Sequence, residues 1–227
     1  MKLFIDIETI PTQNQLIIED IKSSITAPGN YSKPESIQKW LDENLEIEFD
    51  KKYRQTALDG LHGEIFSIAW ALEDEIPQVL FRLKGESEKE LLEAFFQDLL
   101  VKKDNFGQRV AITQWVGHYI TGFDLRFIWQ RCVINKVKPS LDIPFDAKPW
   151  DDKVFDTKIA WSGSSQYSGK SSLNAICEGF GYTGKGDING SNVYDYWLKG
   201  DYELIAEYNK DDVIKTRMIY NRMNFIN

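Results

Sequence analysis

Two carboxylates set two residues apart inside an apolar run open this chain, Lys2-Leu3-Phe4-Ile5-Asp6-Ile7-Glu8-Thr9-Ile10-Pro11. Leu3, Phe4, Ile5 and Ile7 favour a buried central strand, and Pro11 closes it. Alternate residues of a strand face the same side, so Asp6 and Glu8 emerge together. Two unpaired acids so placed repel each other and are costly to bury. A divalent cation relieves both problems, and an all-oxygen cluster suits magnesium or manganese. Taken alone, an Asp-x-Glu pair more often marks the exposed face of an edge strand; the acids further along the chain are what lift it.

Further acids recur beside elements that read as buried. Asp124 ends the stretch Gly117-His118-Tyr119-Ile120-Thr121-Gly122-Phe123-Asp124, where a strand gives way to a helix. A carboxylate in a helix's first turn is also favoured by the helix dipole, so capping alone would account for it. Near the end, Glu207-Tyr208-Asn209-Lys210-Asp211-Asp212-Val213 reads as helix. Tyr208 and Asp212, at i and i+4, share a face there, although such charged runs are commonly solvated faces. Asp211 lies one helical step, about 100°, away from Asp212. Asp156, ending a short apolar run, could brace the site or end a turn.

The elements that must position these groups follow from periodicity. After Pro11 the chain turns polar as far as about Gly63, with short helical patterns at Gln15–Ser24 and Glu35–Asn44, the second capped by Ser32 or Ser36. This stretch is too long for a hairpin loop and too polar for its own core, so it reads as an insertion at about 11–63 in a single 1–227 domain. Glu64–Leu72 and Gln78–Leu83 read as strands. Ser87 and Glu90 have capping-box spacing before a helix whose Leu91, Leu92, Phe95, Phe96, Leu99 and Leu100 recur at helical intervals. Val110–Val116 reads as a buried strand, Phe123–Ile134 as helix and Pro139–Trp150 as loop. Val154–Thr157 reads as a short strand, Ser172–Phe180 as helix, Gly181–Gly190 as a glycine-rich loop, and Tyr202 to Met218–Met223 as the closing helix. The order describes a mixed α/β sheet flanked by helices.

Taken together, Phe4-Ile5-Asp6-Ile7-Glu8-Thr9, then Gly117-His118 leading to Phe123-Asp124, then Tyr208-x-x-x-Asp212, resemble the three exonuclease motifs of the DEDD superfamily. More narrowly, the chain resembles 3′–5′ exonucleases related to the proofreading domain of family-B DNA polymerases. Asp-Ile-Glu-Thr-Ile-Pro, Thr56-Ala57-Leu58-Asp59-Gly60 before Glu64-Ile65, and Lys185-Gly186-Asp187 carry that narrower likeness. The resemblance implies a ribonuclease-H-like sheet and phosphodiester hydrolysis with two Mg²⁺ or Mn²⁺ ions about 3.5–4 Å apart. It also implies that Asp6, Glu8 and Asp212 hold the ion on the nucleophile side, that Asp6 and Asp124 hold the other, and that Tyr208 orients the attacking water. Position 207 is Glu, where the superfamily's other branch carries histidine, so the tyrosine branch is indicated.

One position departs from the pattern. Tyr119 stands five residues before Asp124, where the family usually has asparagine, and a phenol replaces an amide that would contact substrate or metal-bound water. Thr9, Ile10, Phe123 and Tyr119 are the candidate contacts to the terminal nucleotide, with strand-end or core packing the alternative for each. His118 reads as a local hydrogen-bonding residue. The expected substrate is the 3′ end of single-stranded DNA, with RNA 3′-trimming or non-cleaving nucleic-acid binding as alternatives.

The net charge of −8 argues against a broad basic face that tracks long nucleic acid. It does not exclude a nuclease, because bound metal ions reverse the local sign. Cys132 and Cys177 lack ligand spacing and read as free buried thiols. No leader or membrane-spanning run is visible, so a cytoplasmic protein without a membrane partner is expected. No polymerase portion follows residue 227 in this sequence, so proofreading in cis is not expected of it.

Overall fold

A computed structural model describes residues 1–103, 107–148, 150–163, 169–182 and 186–226. Lys185 and parts of the expected loops at 139–150 and 181–190 lie outside them.

The sheet has the order β3-β2-β1-β4-β5, with β1 (Lys2–Ile10) at its centre. β2 (Glu64–Leu72) runs antiparallel to β1, and β3 (Gln78–Phe81) antiparallel to β2. β4 (Gln114–Gly117) is parallel to β1, and β5 (Val154–Asp156) parallel to β4. The carboxyl ends of β1, β4 and β5 therefore open at one edge of the sheet.

The alternation along β1 assigns its faces. Leu3, Ile5 and Ile7 enter the main core, where α3 (Glu88–Val101) supplies Leu92 and Phe95, and α4 (Asp124–Ile134) supplies Leu125 and Ile128. Phe4 turns the other way, onto Val213 and Tyr220 of α8 (Tyr202–Met223), its ring edge-on to Tyr220 at 5.4 Å. Asp6 and Glu8 share that second face. A register shift between Glu8 and Thr9 bends the strand just past the pair, as a bulge next to a site often does.

The Ser87 cap forms as expected, its Oγ accepting from Glu90 N at 3.4 Å. Three boundaries differ. β4 starts at Gln114 rather than Val110, because its paired register begins with Lys2 at Gln114 and with Val154 at Trp115. Before that only isolated backbone bonds form among the described residues, such as Thr113 N to Met1 O at 2.9 Å and Val110 N to Lys102 O at 3.1 Å. β3 stops at Phe81, where Arg82 folds back to donate to Ile65 O at 2.8 Å and to Glu64. The insertion's second helix, α2 (Pro34–Gln55), runs well past Asn44 and begins on proline after Lys33, with no side-chain cap from Ser32 or Ser36. Proline suits this first helical position, where no amide is needed.

Neither α2 nor its companion α1 (Gln15–Ser23) buries a residue. They pack on each other, and a 3₁₀ turn (Thr56–Leu58) returns the chain to the sheet. Both ends of the insertion are tied beside Glu8. Thr9 Oγ1 donates to Ala57 O at 2.7 Å, Thr12 N to Thr56 Oγ1 at 3.0 Å, and Tyr53 OH to Thr12 O at 3.1 Å. Two short helices were not legible in the sequence: α5 (Thr157–Ser162) directly after β5, and α7 (Val193–Lys199) before α8. Between them, α6 (Leu173–Gly179) seals α8 with Ile176 and Cys177 against Ile219. No helix among the described residues is long and apolar enough to cross a membrane.

A buried ion pair locks the insertion's exit to the core. Glu88 accepts from Arg131 Nη2 at 2.6 Å, from Asn135 Nδ2 at 2.7 Å and from Ile65 N at 2.7 Å, while Arg131 also donates to Gly60 O at 3.3 Å. Removing one partner strands a buried charge, at a cost of about 3–5 kcal/mol. Arg131→Met should therefore destabilise the protein by that amount in urea melts, and Glu88→Leu with Arg131→Met should recover part of it. An Arg131→Met variant as stable as the wild type would show that the pair braces nothing.

Candidate active site

β1, α4 and α8 each deliver acids to the open edge. Asp6, Glu8 and Asp212 present carboxylate oxygens that all lie within 4.8 Å of one another. Asp124 is not in this closest group but adjoins it. It is the first residue of α4, and its Oδ1 accepts from Ile7 N at 3.1 Å. That bond occupies a β1 amide just beyond the last β4 partner, since the paired register ends at Phe4 with Val116. The carboxylate thus takes over where the ladder stops.

α8 contributes more than Asp212. Tyr208, one turn earlier, is partly buried, with its hydroxyl beside the Asp212 carboxylate, close enough to influence that group's proton affinity. Asn209 is fully buried, donating through Nδ2 to Asp6 Oδ2 at 2.6 Å and accepting from Ser67 Oγ at 2.9 Å. It joins β1, β2 and α8 through one amide. Lys215 is also buried, with Nζ 2.7 Å from Asp211 and 3.2 Å from Asp212. Asp211 points outward, so of the adjacent pair only Asp212 enters the cluster. Sequence reading missed both Asn209 and Lys215. The available signal was a polar residue on the apolar stripe: Asn209 lies one turn from Ile205 and Val213, and Lys215 one turn from Ile219.

Crowding shows in the proton affinities. Asp6 is held well above the ordinary carboxylate range, by burial first and then by the charges of Asp124, Glu8 and Asp212. Glu8 is raised by burial and by Asp212 and Asp124. Burial lifts Asp124 to about 7, against hydrogen bonds from its own amide and Ile7. Burial raises Asp212 too, opposed by Lys215 and Tyr208. The Tyr208 phenol is pushed up by burial and the neighbouring acids, so it stays a hydroxyl donor. Oxygen ligands with no soft donor and too little countercharge are a fitting set for a hard divalent cation.

The remaining expected residues divide. Thr9 joins Glu8 in lining a cleft of about 210 Å³ that Arg54, Ala57, Leu58 and Tyr194 complete. Phe123 is partly buried, its ring 5.2 Å from that of Phe127. Tyr119 is 44% exposed at the edge of the site. Ile10 takes the packing alternative with its side chain, which is fully buried against Phe66, Val193, Trp197 and Ile205, so any contact it makes to a nucleotide would be through its backbone. His118 bonds locally, Nδ1 to Thr157 Oγ1 at 3.0 Å, and burial lowers its pKa to about 4.

Asp156 proves to be a scaffold residue. It accepts from Tyr119 N, Thr121 N and Thr121 Oγ1, and caps α5 by accepting from Lys158 N and Ile159 N. One carboxylate thereby fixes the loop that delivers Asp124. The loop's tight path needs Gly117 and Gly122, where a Cβ would collide with Ile120 and with the Tyr119 ring.

An acid that binds its proton more tightly when folded favours folding at low pH, and that contribution is lost as pH rises through the folded value. For Asp124 the window runs from 3.8 to about 7. In chelator, the melting temperature of the wild type should therefore fall relative to that of Asp124→Asn across this window. Divalent metal should cancel the fall, because it binds the deprotonated acids. Parallel melting curves for the two proteins in chelator would refute the crowding described here.

Comparison with known proteins places this geometry. No curated protein matches the chain. Its structure is similar to that of the family B DNA polymerase from the hyperthermophilic archaeon Pyrobaculum calidifontis, with a TM-score of 0.57 and 16% identity. The match covers 97% of this chain and 24% of the polymerase, so the chain spans about a quarter of that protein's length. The shared part is the ribonuclease-H-like α/β fold. A family model described as a predicted 3′–5′ exonuclease related to the exonuclease domain of PolB matches residues 63–227, which include Asp124, Tyr208 and Asp212. With most of its length so matched, the chain belongs to that family of PolB-related predicted 3′–5′ exonucleases.

Proposed function

We propose that this chain is a metal-dependent exonuclease that removes nucleotides from the 3′ end of single-stranded DNA. The observation that carries the reading is the convergence of Asp6 and Glu8, which lie outside the family match, on Asp212 and Asp124, which lie within it. Asp6, Glu8 and Asp212 would hold one divalent ion, and Asp6 with Asp124 a second, as Mg²⁺ or Mn²⁺. When bound, two such ions supply positive charge for both the attacking and the leaving oxygen of an in-line displacement.

The chain's own groups do the rest. Asn209 and Lys215 hold Asp6 and Asp212 in place, so these acids are set before any ligand arrives. Tyr208, kept protonated, is set to orient the attacking water through its hydroxyl, beside Asp212. Thr9, on the Glu8 cleft, and Phe123, ahead of Asp124, are the proposed contacts to the terminal nucleotide. The free and buried Cys132 and Cys177 are consistent with action in a reducing cytoplasm.

End-labelled DNA and RNA oligonucleotides test the reading. Mononucleotides should be released from DNA 3′ ends with magnesium or manganese, release should stop in chelator, and Ala at Asp6, Glu8, Asp124 or Asp212 should abolish it. A ladder from the 5′ end, or full activity in Asp6→Ala, would overturn the proposal. Faster trimming of RNA would move the substrate to the runner-up. Tyr208→Phe should slow single-turnover cleavage about 10- to 1000-fold, while metal and oligonucleotide affinity persist. Equal single-turnover rates would reduce Tyr208 to a packing residue.

A further inference from the structure

Tyr119 adopts φ +64°, a left-handed conformation that is rare for a bulky residue. Such outliers persist only where the surroundings over-determine them, and they cluster at functional sites. Here the surroundings are specific. Asp156 takes the Tyr119 amide at 3.0 Å, Gly122 leaves room for the ring, and Lys158 Nζ lies 4.0 Å from the ring centroid. That is the shortest cation–ring contact among the described residues.

Lys158 makes no ion pair with an acid among the described residues, whereas Lys2, Lys22, Arg54 and Lys215 all do. Its amide is held by the same Asp156 oxygen that holds the Tyr119 amide, so the two backbones are fixed side by side beneath the ring–ammonium contact. The pair stands past the carboxyl ends of β4 and β5, on the edge where Asp6 and Glu8 open. β5 lies two strand spacings from β1, about 10 Å. An ammonium held over an aromatic ring, without an acid partner among the described residues, offers an anion a favourable approach to the acidic edge.

Resting on the exonuclease reading above, we infer that Tyr119 and Lys158 form a phosphate contact for the substrate strand. The pair engages a backbone phosphodiester other than the one being cut, and Tyr119 positions the Lys158 ammonium. The site thereby attracts a polyanion that a chain of net charge −8 would otherwise repel. Neither residue touches the reacting bond, so their effect belongs to binding.

The test is fluorescence anisotropy of a labelled oligothymidylate on the whole chain, with calcium in place of the activating metal, across a salt series. Lys158→Gln should weaken binding about three- to tenfold and make the plot of log affinity against log salt shallower by about 0.7, the value for one phosphate of a single strand. Lys158→Arg should restore the slope. Tyr119→Gly, which relieves the backbone conformation, should fold at least as well yet bind more weakly. Adding Lys158→Gln to it should cost less than in the wild type, because the two act together. If the wild type binds no oligonucleotide, the exonuclease reading and this inference fall together. If it binds with a salt slope and affinity that Lys158→Gln leaves unchanged, this inference alone falls.

Discussion

Four carboxylates brought into one largely buried space repel one another, and burial makes each more costly to ionise. Much of the chain can be understood as the scaffold that holds them together in spite of this. The acids are distributed over three rigid elements, so none can relax away without moving a strand or a helix. Asp6 and Glu8 belong to the central strand, hydrogen-bonded on both sides near its start and on one side at the acids. Asp212 belongs to a helix sealed along its length by Val213, Ile219 and Tyr220. Asp124 is anchored by a backbone amide of the strand it faces.

The polar groups around the acids have matching roles. Asn209 neutralises no charge; it gives Asp6 one strong hydrogen bond and is itself fixed by Ser67. Lys215 does supply charge, but it sits behind Asp212 and is shared with Asp211, so it compensates only one flank. Asp156 braces the loop into α4 without joining the cluster. The Glu88–Arg131 pair does comparable work on the opposite face, tying α3, α4 and the turn at Gly60 into one body.

The family match begins at residue 63, after both the first strand and the helical insertion. The matched segment alone carries Asp124, Tyr208 and Asp212 but lacks the two acids nearest Asp212. Only the pairing of β1 between β2 and β4 completes the set. The insertion contributes in a different way: it buries none of its helical residues in a core, yet its return turn walls the cleft beside Glu8.

What the sequence determined by itself was local. Two acids at strand spacing, a tyrosine and an acid one helical turn apart, and a capped helix rich in leucine and phenylalanine are periodic signals, because backbone geometry repeats every two or 3.6 residues. What only the tertiary structure decided depends on residues distant in the chain. Ile10 follows the acids directly in sequence, yet α7 and α8 close over its side chain. Val110–Thr113 has strand composition but, among the described residues, makes only isolated backbone bonds, to Lys102 and Met1, and no continuous ladder. Asp156 could have ended a turn or braced a site, and five donors, three from the loop into α4 and two from the first turn of α5, settled the matter. Lys215 looks like one more charge on a solvated helix until packing buries it against Asp212. In each case the side chain's fate is set by what arrives opposite it, and that is a property of the fold rather than of the neighbouring sequence.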